Sequence, residues 1–161
     1  MFPLQKCVMS KASTPGSFGF RRKHDVHCGV DLYTSEGIEV VAIEDGEVVK
    51  VDIFTGPKIG MDWWNETWAV MVEGKSGVIN YGEINPSCIV GQKIKVGDII
   101  GKVIPVLPPE KLRPDIPGHS CSMLHLELYK HGCREFAIWE LNQPQPEGLL
   151  DPTPLLLNTV K

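Results

Sequence analysis

The chain lacks several things that would each point to a class of protein. No apolar run reaches the roughly 18 residues of a transmembrane helix, so no membrane insertion is expected. Positive charge is not in excess: 16 Lys and Arg stand against 20 Asp and Glu, for a net charge of −4. That excludes a polycationic nucleic-acid binder, and no nucleic-acid partner is expected. No C-x-x-C pair occurs among Cys7, Cys28, Cys88, Cys121 and Cys133. An odd count without such pairs disfavours a complete disulfide framework and an all-cysteine zinc site, leaving reduced thiols as the reading. Met1 to Pro15 has no apolar stretch of secretory type, because Lys6 and Lys11 interrupt it. The expectation is a protein that is cytoplasmic or virion-associated as encoded, and extracellular or periplasmic only if released or trimmed. Internal repeats, low-complexity tracts and an interdomain linker are all missing.

What is present is glycine and proline. Together 16 Gly and 13 Pro make 29 of 161 residues, about 18% against roughly 12% on average. Such a chain is rich in turns, and an all-helical bundle is excluded. Period-two patterning marks strands at Glu39 to Ala42 and Glu47 to Ile53, joined by Glu44-Asp45-Gly46, a hairpin signal. Trp68 to Val72 and Val78 to Ile84 flank the turn Glu73 to Gly77 as a second pair. Ile94 to Val96 and Ile99 to Ile104 read as short strands around Gly97-Asp98. In Met123 to Tyr129, Leu124, Leu126 and Leu128 fall on one face, and Met123, His125, Glu127 and Tyr129 on the other. The Leu face belongs to a core; the His/Glu face should line a groove or a solvated surface. Pro105 to Gly118 holds five prolines in fourteen residues and reads as a stiff loop. Phe54 to Thr67, with Trp63-Trp64, reads as another; Cys133 to Leu141 as a short helix; Gln143 to Pro154 as a Pro-rich tail. The fold class is therefore mostly β: a single-domain antiparallel sheet or sandwich with a groove, long Pro-rich loops and little helix. Its expected limits are an extension at 1–16, the domain at 17–157 and a tail at 158–161.

The chemistry begins at His27-Cys28-Gly29-Val30-Asp31. Residues four apart in extended chain share a face, so this imidazole and carboxylate can grip one metal ion. Alone the pair is weak, but His125 on the alternating strand completes two histidines and one aspartate. Three protein ligands with a fourth position left to water form the pattern of a catalytic zinc site. Zn²⁺ there acidifies a water toward a pKa of roughly 7 and polarises a carbonyl. His24, three residues before His27, offers H-x-x-H as another pair, but the strand after Gly29 favours His27 with Asp31. Cys121 lies near His119 and His125, without a cysteine-hydrolase signature around it. Trp63, Trp64 and Trp68 read either as a stacking platform for sugar or peptide or as core and loop plug.

Linked motifs give these residues a family likeness. Ser17-Phe18-Gly19-Phe20-Arg21, His27-Cys28-Gly29-Val30-Asp31-Leu32, Gly37 to Ala42 and Asp45-Gly46-Glu47-Val48 follow in order. Gly91 to Gly101, Leu124-His125-Leu126-Glu127 and Asp151-Pro152 with Leu155 to Leu157 come after them. The series, over about residues 17–157, resembles the lysostaphin-type zinc metalloendopeptidases. The resemblance implies a small antiparallel β fold with a groove and zinc held by His27, Asp31 and His125. It also implies cleavage of short peptide bridges in bacterial peptidoglycan. The non-catalytic branch of that family, typified by the leukocyte cell-derived chemotaxin, is similar too, and implies a module binding a peptide, glycan or protein partner instead.

Two positions depart from the family pattern. Active members carry a histidine two residues before the last ligand, where this chain has Met123, and another in a Y-x-H-L motif, where it has Tyr81-Gly82-Glu83-Ile84. Glu83 reads equally as a general base and as a solvated carboxylate occupying a former histidine position. Met123 cannot donate a hydrogen bond to an oxyanion; His119, then Tyr81, are the candidate replacements, with an exposed loop residue as the blander reading of His119. Glu127 shares the face of His125 and is placed to orient a ligand.

Overall fold

The computed structural model describes residues 1–111 and 122–159. Ten strands follow one another: β1 (Val8–Met9), β2 (Val30–Tyr33), β3 (Glu39–Val41), β4 (Gly46–Thr55), β5 (Thr67–Gly74), β6 (Gly77–Pro86), β7 (Lys93–Ile94), β8 (Ile99–Val103), β9 (Met123–Tyr129) and β10 (Leu149–Leu150). One helix, α1 (Thr153–Thr159), closes the described chain. The strands form one antiparallel sheet in the order β1-β2-β9-β6-β5-β4-β7, with β10 added to β9 and the β3–β8 pair joined through β6. Among the described residues no helix is long and apolar enough to cross a membrane.

The mostly-β reading holds, and its partners are partly different. β5 and β6 form the expected hairpin, with Gly74 opposite Gly77. β3 and β4 do not pair with each other: β3 lies on β8, and β4 lies between β5 and β7. Asp-Gly between apolar runs was a hairpin signal, but Asp45 has another task. Its carboxylate accepts hydrogen bonds from the Val96 N–H at 2.8 Å and Lys95 Nζ at 2.9 Å, tying this turn to the one after β7. The 133–141 stretch contains no helix; it runs as irregular chain, with Glu140 bridged to Asp25. The helix forms instead at Thr153–Thr159, within and beyond the tail that prolines had marked as loop. Residues 1–16 pack onto the domain: Val8 and Met9 pair with Tyr33 and Leu32, and Leu4 is buried in the core.

β9 is central. Leu124, Leu126 and Leu128 enter the main core with Val30, Leu32, Ile79 and Tyr81, each burial contributing about 1.5–3 kcal/mol. The opposite face was expected to be solvated or groove-lining. It is covered toward its C-terminal end: Glu127 and Tyr129 are 2% and 1% exposed. Tyr129 packs with Met71, Val78 and Leu149, and Phe136 and Trp139 of the irregular stretch lie against this second cluster.

β6 carries a bulge that decides which side chains reach the site. Val70 lies opposite Tyr81, but Trp68 lies opposite Ile84, so β6 spends one extra residue at Gly82-Glu83. Tyr81 and Ile84, three apart, therefore both face the main core. Without the bulge Glu83 would share the face of Tyr81. Glu83 absorbs the irregularity at φ 65°, a left-handed backbone uncommon for a residue with a Cβ.

Gly29, one residue before β2, is where the chain runs hard against β9. A Cβ built there would lie 2.5 Å from the Leu126 carbonyl oxygen and 2.8 Å from His125 Nε2. The carbonyl belongs to a paired central strand and cannot give way. Gly29→Ala is expected to destabilise the protein by about 1–3 kcal/mol, the usual range for overpacking, and to displace His125. Urea denaturation of the two proteins measures the difference; equal stability would contradict the close approach.

Candidate metal centre

Strand register assembles the site. Asp31 on β2 is the direct partner of His125 on β9, and His125 is the direct partner of Gly82 on β6. Directly opposed residues in a sheet point to the same face. His27 reaches this face from the segment before β2, where its N–H donates to the Phe20 carbonyl and its own carbonyl accepts from the Gly19 N–H. His27, Asp31 and His125 are 3%, 3% and 7% exposed. His27 Nε2, His125 Nδ1 and Asp31 Oδ1 lie 3.1, 3.2 and 2.9 Å from one another.

The outer nitrogen of each imidazole settles what faces inward. His27 Nδ1 is 3.0 Å from the Ser17 carbonyl oxygen, which only accepts, so Nδ1 carries the hydrogen. His125 Nε2 is 3.1 Å from Glu127 Oε1, so Nε2 donates there. The neutral rings then aim two bare lone pairs, together with a carboxylate oxygen, into one small space. These contacts repel unless a positive charge sits among them. Zinc with nitrogen and oxygen ligands at about 2.0–2.1 Å holds tetrahedral donors roughly 3.3 Å apart. The triad has that spacing and that donor chemistry, and its three donors are one short of a tetrahedral set. These are the three residues the sequence put together; His24 is exposed and stands apart from the cluster.

Each ligand has an outer partner. Arg22 Nη2 donates to Asp31 Oδ2 at 3.2 Å, while Nε and Nη2 also donate to the Pro15 carbonyl. This leaves Asp31 Oδ1 for the centre. Arg22 was missed in the sequence: two arginines stand side by side, and its neighbour Arg21 instead meets Asn142 at the surface. Glu127 holds His125 as the strand alternation indicated. On the other side Phe54 lies against His125, ring centroids 5.4 Å apart, passing over Gly82, where a Cβ would be 2.7 Å from the Phe54 ring.

Glu83 is 7% exposed and one of its oxygens, Oε2, has no hydrogen-bond partner. Burial pushes its carboxyl up to about 8, against the pull of the neighbouring His125. It is thus not a solvated carboxylate. Tyr81 does not belong to the site. Opposite Leu126 it faces the main core, where its hydroxyl accepts from the Ile43 N–H at 3.0 Å. His119 and Cys121 lie outside the described residues. Met123 is half-buried, two residues before His125 and opposite Tyr33. Trp63 is exposed, while Trp64 and Trp68 are half-buried.

No family model matches the chain, and no curated protein matches its sequence. Solved structures do match its fold. The catalytic domain of the antimicrobial peptidase lysostaphin from Staphylococcus simulans superposes with a TM-score of 0.59 at 18% identity, over 94% of this chain and 92% of that one. A variant catalytic domain of the prophage-encoded M23 protein EnpA from Enterococcus faecalis gives 0.56 at 20% identity, over 92% and 91%. A zinc containing peptidase from Vibrio cholerae gives 0.51 at 20% identity, over 78% of this chain but only 35% of that longer one. The chain has the lysostaphin-type M23 peptidase fold.

The buried charges fix a pH dependence for the zinc-free protein. Burial opposes a charged His125, but hydrogen bonds to Asp31 and Glu127 overrule it and raise the imidazole to about 10. Asp31 is buried too, and the two histidines hold its carboxyl well below the usual range. His125 and Glu83 hold protons more tightly folded than unfolded. Their stabilising contributions are full below ordinary values of 6.5 and 4.5 and are lost as pH rises through about 10 and about 8. Asp31 works oppositely: its contribution is present above 3.8 and lost as pH falls toward its lowered pKa. Burial lowers His27, which opposes this trend below 6.5; with a chelator present, the melting temperature should therefore fall between pH 6.5 and pH 10, and Glu83→Gln should flatten the part below pH 8. Calorimetry across that range checks both; a curve rising with pH would contradict the assignments.

Proposed function

We propose that the chain is a zinc-dependent hydrolase of peptide bonds in bacterial peptidoglycan, with Glu83 as its general base. The observation that carries this is the convergence of two imidazole lone pairs and one carboxylate oxygen on a single point. The peptidase names of the fold's neighbours support the reaction class, the zinc in the name of the Vibrio protein supports the metal, and the motif resemblance supports the cell-wall substrate.

When bound, zinc supplies Lewis acidity toward a scissile carbonyl and makes a water easier to deprotonate. The chain's own groups do the rest. His27, Asp31 and His125 hold the ion with a position left for substrate. Glu83 presents an unpartnered buried oxygen from the same face, beside the residue paired with His125. It accepts the proton of the attacking water and returns it to the leaving amine. Burial raises its affinity for a proton above that of an ordinary carboxyl, which makes it a stronger base once it is ionised beside the metal. Met123 gives no hydrogen to a developing oxyanion. One missing donor costs on the order of 10²–10³ in rate, so the reading is of a slow enzyme.

Met123 is also the observation that favours a second reading, a zinc-holding module that binds a peptide, glycan or protein partner without cleaving it. One set of measurements separates the two. Purified protein should carry one zinc per chain by elemental analysis, and Asp31→Ala should lose it together with thermal stability. The zinc-loaded protein should release new amino groups from purified peptidoglycan, with Glu83→Gln lowering the rate about 10²-fold or more. Inert zinc-loaded protein on several wall types sinks the hydrolase and leaves the module. Met123→His gaining cleavage would locate the loss in the missing donor. Unchanged zinc in Asp31→Ala would sink both readings.

A further inference from the structure

The face of β9 beyond the metal triad holds a buried polar cluster. Glu127 Oε1 accepts from His125 Nε2 at 3.1 Å. Its other oxygen, Oε2, accepts from Asn80 Nδ2 and from the Tyr129 hydroxyl, each at 2.7 Å. The Tyr129 oxygen in turn accepts from the Ala137 N–H at 2.8 Å. Asn80 lies directly across from Glu127 in the sheet. Asn80, Glu127 and Tyr129 are 0%, 2% and 1% exposed, and Asn80 Oδ1 has no partner. An ionic group this deep is costly to bury unless it is fully bonded and has something to hold. Packing alone does not explain it: an apolar residue at 127 would fill the space without three donors aimed at it.

We propose that Glu127 is a positioning residue for the metal centre, clamped by Asn80 and Tyr129 so that His125 keeps its hydrogen on Nε2 and presents Nδ1 to the ion. The inference rests on the zinc reading of the triad and adds to it the group that makes one ligand competent. An imidazole ring without a fixed outer acceptor can turn about its side-chain bonds or shift its hydrogen to Nδ1, and either removes the lone pair from the centre. The 133–139 segment joins the same device through Ala137, so a stretch with no secondary structure helps hold a ligand on the strand that precedes it.

The unpartnered Asn80 oxygen supplies a rescue. In Glu127→Gln the new amide can still accept from His125 through its oxygen, and its NH₂ can donate to Asn80 Oδ1 once the Asn80 amide turns over. Glu127→Met fills a similar space and can do neither. The experiment measures zinc affinity of the full chain by competition with a chelator. It also follows the hydrogen-bonded His125 Nε2–H in the zinc-loaded protein as a downfield, exchange-protected proton resonance. Glu127→Met should bind zinc 10–100-fold more weakly and lose that resonance, and Glu127→Gln should recover much of the affinity and keep it. Chelator-treated samples of each are compared for folding by circular dichroism, so that a misfolded variant is recognised; in that case the Gln protein alone decides, through the presence or absence of the resonance. Full zinc affinity in a folded Glu127→Met protein, or no protected resonance in either the parent or the Gln protein while zinc is held, overturns the positioning role and leaves the metal site standing. A parent chain that takes up no zinc overturns both.

Discussion

Two imidazole nitrogens and a carboxylate oxygen, none more than 3.2 Å from the others, cannot rest together without a positive charge between them. That electrostatic demand organises the centre of this molecule. In the metal-free chain a proton answers it, and the carboxylates of Asp31 and Glu127 raise His125 to about 10 against its burial. A divalent cation answers it better, since it satisfies all three acceptors at once. The raised His125, the lowered Asp31 and the zinc-like spacing are three expressions of one arrangement. The outer partners, the Ser17 carbonyl, Arg22 and Glu127, keep each donor from turning away from it.

The sheet imposes the geometry that makes the demand unavoidable. Asp31, His125 and Gly82 sit abreast on three neighbouring strands, and a one-residue slip in either pairing would send one of them to the opposite face. The slip is prevented by Leu124, Leu126 and Leu128, whose burial on the other face fixes the register of β9. Hydrophobic patterning therefore does more than fill a core here: it sets which ionisable groups meet. The bulge in β6 works the other way. It breaks the alternation so that Tyr81 and Ile84 both enter the core while Glu83, between them, does not. A left-handed backbone at a residue with a Cβ and an unpaired buried carboxyl oxygen are both unfavourable, and they coincide at one position. Such coincidence is what a functional constraint leaves behind.

This division explains what could be read from the amino-acid sequence. The triad was legible because it depends on fixed spacings: four residues in extended chain for His27 and Asp31, and strict alternation around His125. The β5–β6 hairpin was legible because its turn is local. The β3–β8 and β4–β7 pairings were not, since each joins strands well apart along the chain and the Asp45-Gly46 signal between β3 and β4 pointed to a nearer partner. Tyr81 was read with Glu83 because residues two apart share a face in a regular strand; the bulge at Gly82-Glu83 separates them and leaves Tyr81 on the core face opposite Leu126. Arg22 was passed over because the family-like segment ends at Arg21, and only the Arg21–Val26 bridge sets the two directions apart. The covered half of the β9 outer face escaped notice for a similar reason: the stretch that covers it, around Phe136 and Trp139, has no periodicity of its own.

In the proposed hydrolase, a carboxyl at Glu83 where the family pattern has an imidazole would change more than the identity of a base. It puts a third acidic group beside Asp31 and Glu127, with Arg22 as the fixed cation among them. Without a metal, burial and this crowding keep Glu83 protonated near neutral pH, and a protonated carboxyl is no base. A dication held by the triad reverses the balance, because its field favours the ionised form of every nearby acid. Loss of the proton from His125 on metal binding removes one positive charge, but the ion adds two. In an enzyme of this kind the base would be ready only when the metal is in place. A histidine at the same position would answer the ion in the opposite sense, since a nearby dication disfavours the imidazolium and leaves the neutral ring. In the proposed enzyme Glu83 would thus tie the protonation of the site to its occupancy through electrostatics alone, with no movement of the fold required.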